Sequence, residues 1–137
     1  MKYDELKELL QKQKQRKRPR HEESEIQKSC VRWFRATYPR YLCFSVPNGG
    51  RRSALEGAIL KGEGALAGVS DLIIVAYNAV LFIEIKNEKG KQSESQKRFQ
   101  KQVEALGHEY KVCRSRQEFQ LTVEHWLKCK YWMIDVE

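Results

Sequence analysis

No apolar run in the 137 residues approaches the roughly 20 that a membrane-spanning helix requires. Met1 opens a charged segment with no apolar stretch behind it, so a secretory leader is not expected. The chain reads as soluble and intracellular, with no membrane partner. Its four cysteines, Cys30, Cys43, Cys113 and Cys129, include no C-x-x-C pair, and His21, His108 and His125 stand at no spacing that completes a zinc site. Each cysteine falls inside an apolar stretch, which predicts buried free thiols packing as small hydrophobes. There is no G-x-x-x-x-G-K-[ST] loop. The stretch from Gly62 through Gly64 to Ala67 matches a loose G-x-G-x-x-A, but it follows a helical pattern and opens a strand, the reverse of what dinucleotide binding needs. Nucleotide binding by those devices is excluded, and no internal repeat is present.

Apolar residues make up 41% of the chain and aromatics 10%, enough for one sizeable core but not two. Lys and Arg number 26 against 18 for Asp and Glu, a formal charge of +8. An anionic partner follows, nucleic acid first and an anionic membrane surface second. The excess is uneven. Residues 1–20 carry eight basic and three acidic side chains, so most of the surplus is a basic arm. The expected organisation is an arm over 1–20, a folded domain over 21–128 and a tail over 129–137.

Residues 4–18 are helix-forming by propensity, with Pro19 predicted to end that helix. From Glu22 to Thr37 a second helix is expected, its stripe Ile26, Cys30, Trp33, Phe34 and Thr37, stopped by Pro39. Residues 41–46 alternate as a strand with Leu42, Phe44 and Val46 on one face, followed by the turn chemistry of Pro47 to Gly50. Ser53-x-x-Glu56 caps a short helix, and Gly62, Gly64 and Gly68 predict a flexible loop after it. Residues 71–76 and 80–86 read as hairpin strands around Asn78. Ser93 opens a helix with the stripe Phe99, Val103 and Leu106; residues 109–113 form a strand; and Ser115-x-x-Glu118 caps a last helix with Phe119, Val123 and Trp126 inward. A short strand is conceivable over 131–136. The order α-β-α-β-β-α-β-α, with a helical crossover, gives an α/β fold: a small mixed sheet flanked by helices.

The chemistry concentrates in residues 68–86. Asp71 heads one hairpin strand and Glu84-Ile85-Lys86 ends its partner, so two carboxylates and an ammonium meet at one end of the sheet. Charges closing an otherwise apolar strand are costly unless solvated or functional, and such a group suits a hard divalent metal. A surface ion pair between Glu84 and Lys86 is the plain alternative. Glu23 lies on the apolar stripe of its helix, three and seven residues before Ile26 and Cys30, whereas Glu25 faces away. Gln96 heads the stripe of its own helix, as a capping residue or a site residue. Asn48, Arg51 and Arg52 sit in a glycine-containing turn that can approach phosphate. Lys89, Lys91, Lys97, Arg98 and Lys101 either track a nucleic-acid backbone or solvate a helix face.

Glu23-x-x-x-Gln27, Pro47-Asn48-Gly49-Gly50, Gly68-Val69-Ser70-Asp71, Glu84-Ile85-Lys86 and Ser93-x-x-Gln96 occur in the order and spacing of one family. From about Glu22 to Ser115 the chain resembles the VRR-NUC (virus-type replication-repair nuclease) family of the PD-(D/E)XK superfamily. Ser70 stands where the superfamily's name places proline, at a position that shapes a turn and holds no ligand. The resemblance implies a restriction-endonuclease-like core and a metal-dependent DNA endonuclease. Asp71, Glu84 and the Ile85 carbonyl would hold Mg²⁺ or Mn²⁺, with Glu23 completing the shell directly or through water. Lys86 would orient the attacking water, and Gln96 would be an accessory polar residue. The family's stand-alone members further imply a homodimer, a branched or Holliday-junction substrate, and a bacterial or phage-infected cytoplasm. A defence or restriction-type duplex nuclease shares every one of these motifs. A catalytically silent DNA-binding module would show the arm without metal-dependent cutting.

Overall fold

The structure, a computed structural model, describes residues 2–47 and 53–131, and over 13–20 the backbone alone. Asn48, Arg51, Arg52 and most of the tail lie outside the described residues. A single helix, α1, runs from Tyr3 to Thr37. This corrects the expected break at Pro19. Proline removes one N–H, but the residues on both sides (Lys, Arg, Gln, Glu) are good helix formers, and the stretch propagates across the missing bond. The helix ends where the Tyr38 amide donates to the Phe34 carbonyl ahead of Pro39.

The remaining elements follow the expected order: β1 (Leu42–Ser45), α2 (Ala54–Gly62), β2 (Leu72–Ala76), β3 (Ala79–Ile85), α3 (Glu94–Ala105), β4 (Glu109–Cys113) and α4 (Arg116–Tyr131). The sheet order is β1-β2-β3-β4, antiparallel except for the β3–β4 pair, which α3 connects as a crossover. The β2–β3 turn is two residues, Tyr77-Asn78, with Asn78 in the left-handed region at φ 53° and Ala79 already paired with Ala76.

Leu72, Ile74, Leu81, Ile83 and Ile85 point to one face, where Cys30 and Phe34 of α1 and Phe119, Val123 and Trp126 of α4 close the main core. On the other face α3 sets Phe99 and Val103 against Tyr110 and Phe82. It covers the β3–β4 half only, so Leu42 and Phe44, which share a face as the alternation predicts, remain 60% and 41% exposed while Cys43 enters the core. Three thiols are buried as expected. Cys129 is exposed, because it falls beside rather than on the Phe119, Val123, Trp126 stripe of α4.

Gly68 is not a hinge. Its φ of +83° requires glycine, and a Cβ there would stand 2.2 Å from the Ser95 carbonyl oxygen of α3. The loop therefore packs directly on the first turn of α3. Among the described residues no helix is long and apolar enough to cross a membrane.

Candidate active site

The β2–β3 register pairs Leu72 with Ile83, which sets Asp71, one residue before β2, beside Glu84. Asp71 Oδ2 accepts the Ile85 amide at 2.8 Å, fixing the carboxylate at the end of the sheet. Ile85 itself directs its side chain into the core, 1% exposed. In place of proline, Ser70 is fully buried and donates its hydroxyl to the Leu72 carbonyl at 3.2 Å, so the turn before Asp71 is held by a hydrogen bond.

Glu84 is also buried, at 1% exposure, and both of its oxygens are engaged. Gln96 Nε2 donates to Oε1 at 3.0 Å, and the Tyr110 hydroxyl donates to Oε2 at 3.3 Å. Lys86 Nζ lies 3.7 Å from Oε1. This pair is nearly dry, so it is not the exposed surface bridge of the plain alternative. Burial pushes the Glu84 carboxyl up to about 8, a hydrogen bond with Asp71 and its charge add to that, and Lys86 and Tyr110 oppose it. Burial and the Glu84 charge likewise push the Tyr110 phenol well above its usual range.

Gln96 fills both roles open at the sequence level. Its Oε1 accepts the Ser93 amide, completing a capping box on α3, while its Nε2 holds Glu84. Behind it Gln92 Nε2 donates to the Tyr110 hydroxyl at 3.2 Å and to Gln100 Oε1 at 2.9 Å. Tyr110 and Gln92 have no sequence motif of their own. Only the parallel register, Glu84 beside Val112 and Phe82 beside Tyr110, brings the phenol within reach.

Glu23 reaches the site from α1. Its Oε1 accepts the Asn87 amide at 3.3 Å, and a Cβ on Gly90 would stand 2.9 Å from that oxygen, so this loop passes close against the carboxylate. Arg114 clasps the same loop, donating to the Asn87 and Gly90 carbonyls at 2.7 Å each. Glu25, in contrast, is exposed and pairs with Lys28 at 3.2 Å.

Glu23, Asp71, Glu84, Lys86 and Gln96 all line one cavity of about 800 Å³. Its remaining wall comes from α1 and Ser45, and includes Lys28, Arg32 and Arg35, which sequence reasoning passed over. Lys89, Lys91 and Lys97 are exposed and do not line it, and Lys97 pairs with Glu94 at 3.5 Å. The donor chemistry fits a hard divalent cation: Asp71 and Glu84 stand side by side at the end of paired strands and both line one cavity, two carboxylates of the kind such an ion takes. Among the described residues no three acidic, histidine or cysteine side chains already stand together as a cage. Glu23 shares the cavity while its Oε1 is bonded to Asn87.

A profile of the VRR-NUC domain matches residues 21–117, most of the chain. The chain belongs to the VRR-NUC family. It is thereby a nuclease-type domain, for which DNA is the implied substrate. Solved structures that share this fold include two that carry the family's name. One, described as a VRR_NUC domain protein, is 23% identical with a TM-score of 0.62 and covers 77% of this chain and 88% of its own. Another, described as a VRR_NUC domain, is 21% identical with a TM-score of 0.55 and covers 77% and 97%. No curated protein matches the chain. The VRR-NUC match begins at residue 21, within α1, so it takes in the half of that helix bearing Glu23 and leaves the basic half outside.

Proposed function

We propose that this VRR-NUC protein is a Mg²⁺- or Mn²⁺-dependent endodeoxyribonuclease that acts as a homodimer on branched DNA. The observation that carries the reading is Asp71 set beside the buried Glu84, with Lys86 next to them, in one cavity. Hydrolysis joins a water oxygen to phosphorus and breaks the bond to the leaving nucleotide's oxygen, which takes up a proton. Asp71 and Glu84 would hold a divalent cation, which would supply charge neutralisation at the phosphate and a more acidic water. The Ile85 amide holds Asp71 in place, and Gln96 and Tyr110 hold the two oxygens of Glu84, so neither carboxylate has to reorganise during the reaction. The Lys86 ammonium, largely shielded from solvent in the cavity, orients the attacking water and stabilises charge developing on the phosphate. Glu23 lines the same cavity from α1 and would complete the shell directly or through water.

Symmetry supports the homodimer: among the described residues one such cavity is present, enough to cut one strand, so paired cuts at a junction need two chains about a two-fold axis. The test is a panel of hairpin, flap, fork, four-way junction and linear duplex DNA, with and without Mg²⁺. Wild type should cut branched forms in Mg²⁺ and nothing in EDTA, and Asp71→Asn and Lys86→Ala should each lose about 100-fold or more. Equal cutting of linear duplex would favour a restriction-type nuclease, and no cutting at all would leave a DNA-binding module.

A further inference from the structure

We infer that the cavity-facing side of α1 is a track for the phosphate backbone of the strand being cut, with Lys28, Arg32 and Arg35 as its cations. The inference deepens the proposed nuclease reading and rests on it. The α1 residues on the cavity wall run from Glu23 through Gln27, Lys28 and Arg32 to Arg35. At ~100° per residue Glu23 and Gln27 stand on the core stripe of Ile26, Cys30 and Phe34, whereas Arg35, Lys28 and Arg32 stand about 120–180° round from Glu23, exposed, and bound the cavity through their long side chains. Charge is ordered along α1: the carboxylate lies beside the proposed metal site and the cations lie progressively further away.

These cations are available to an anion. Among the described residues no carboxylate lies within 4.0 Å of the Arg32 or Arg35 guanidinium. Arg35 donates one N–H to the Cys43 carbonyl at 3.1 Å, a neutral partner that fixes the side chain and leaves its charge and its other donors free. Lys28 is shared with Glu25, a bond that exposure makes weak. With ~1.5 Å of rise per residue, Arg32 and Arg35 stand about 14 and 18 Å along the axis from Glu23. A strand with one phosphate per ~3.4 Å of axis would place about four or five nucleotides beside that length. Contacts of this kind position the backbone without reading bases.

The experiment measures Kd for a labelled DNA fork against salt concentration in EDTA, for wild type, Arg32→Gln, Arg35→Gln and Lys128→Gln. Lys128 matches the charge loss and lies on α4, in a hollow lined by Tyr38 and Tyr131 rather than in this cavity. Each arginine variant should lower the slope of log K against log salt by about 0.9 for a duplex contact, or about 0.7 for a single strand, and Lys128→Gln should leave it unchanged. Wild-type slopes in both arginine variants, or an equal drop in Lys128→Gln, would overturn the track. If Arg35→Gln fails to fold by circular dichroism, Arg32→Gln decides alone, because Arg32 is exposed. Metal-dependent cutting by wild type is scored separately. Its absence would refute the nuclease reading, and the slopes would still decide where DNA lies.

Discussion

The Tyr110 hydroxyl on β4 donates to Glu84 Oε2 on the parallel neighbour β3, at 3.3 Å. A phenol thus holds one oxygen of the carboxylate whose other oxygen belongs to Gln96. Removing it should loosen Glu84 without emptying the core. Tyr110→Phe should keep the fold with a stability loss of about 1–2 kcal/mol, while Mn²⁺ affinity weakens about 10-fold. Paramagnetic resonance titration of Mn²⁺ reads this without reference to cleavage. Wild-type Mn²⁺ affinity would assign Tyr110 to packing alone.

Glu84 should make the metal-free protein sensitive to alkali. Its carboxyl is raised from 4.5 to about 8, so the folded chain holds the proton more tightly than the unfolded chain does. The stabilisation is complete below about pH 4.5 and is lost as pH rises through about 8. In EDTA the melting temperature of wild type relative to Glu84→Gln should therefore fall between about pH 5 and about pH 8.5. Mg²⁺ should restore it at the alkaline end, and a flat difference in EDTA would contradict the burial argument.

Glu23 and Glu25 give a paired comparison on one helix. Glu23→Gln should reduce cleavage by about 10- to 100-fold, since its carboxylate lines the cavity and anchors the Asn87 amide. Glu25→Gln should cut like wild type, its pairs with Lys28 and His21 being exposed. Single-turnover rates at saturating DNA distinguish the two, and the reverse order would mean the wrong carboxylate has been assigned.

Gly68→Ala should cost about 3 kcal/mol, because a Cβ at φ +83° meets the Ser95 carbonyl of α3. Urea denaturation measures that loss. Since Gln96 follows Ser95, activity should fall more than the folded fraction does. Activity that tracks folded fraction alone would mean the α3 N-terminus has not shifted.

Only one cysteine should react quickly with a thiol reagent. Burial pushes Cys30 up to about 12 and Cys43 and Cys113 up to about 11, whereas Cys129 is exposed on α4. Cys129→Ser should abolish the fast phase of thiol titration in the native protein. A fast phase that survives would point to opening of the core.

Where local periodicity and pairing decide, the sequence was legible. Alternation and a two-residue turn suffice to bring Asp71 beside Glu84, and 100° per residue separates Glu23 from Glu25. Contacts made across elements were not. Nothing near Tyr110 announces a partner 26 residues away, because that distance depends on the β3–β4 register. Lys28, Arg32 and Arg35 do repeat at helical spacing after Glu23, a signal hidden by attention to the apolar stripe. Pro19 misled because a local helix breaker was weighed without the strong formers on either side.

The unbroken α1 changes what the basic residues before Glu23 can do. A flexible tether would sample every direction and dilute its charge over a wide volume, whereas the twenty-one residues from Tyr3 to Glu23 form a stiff spoke of about 30 Å. Such a spoke has a heading. Its hub is the helix that carries Glu23, so a load on its far end is transmitted as torque to the cavity wall.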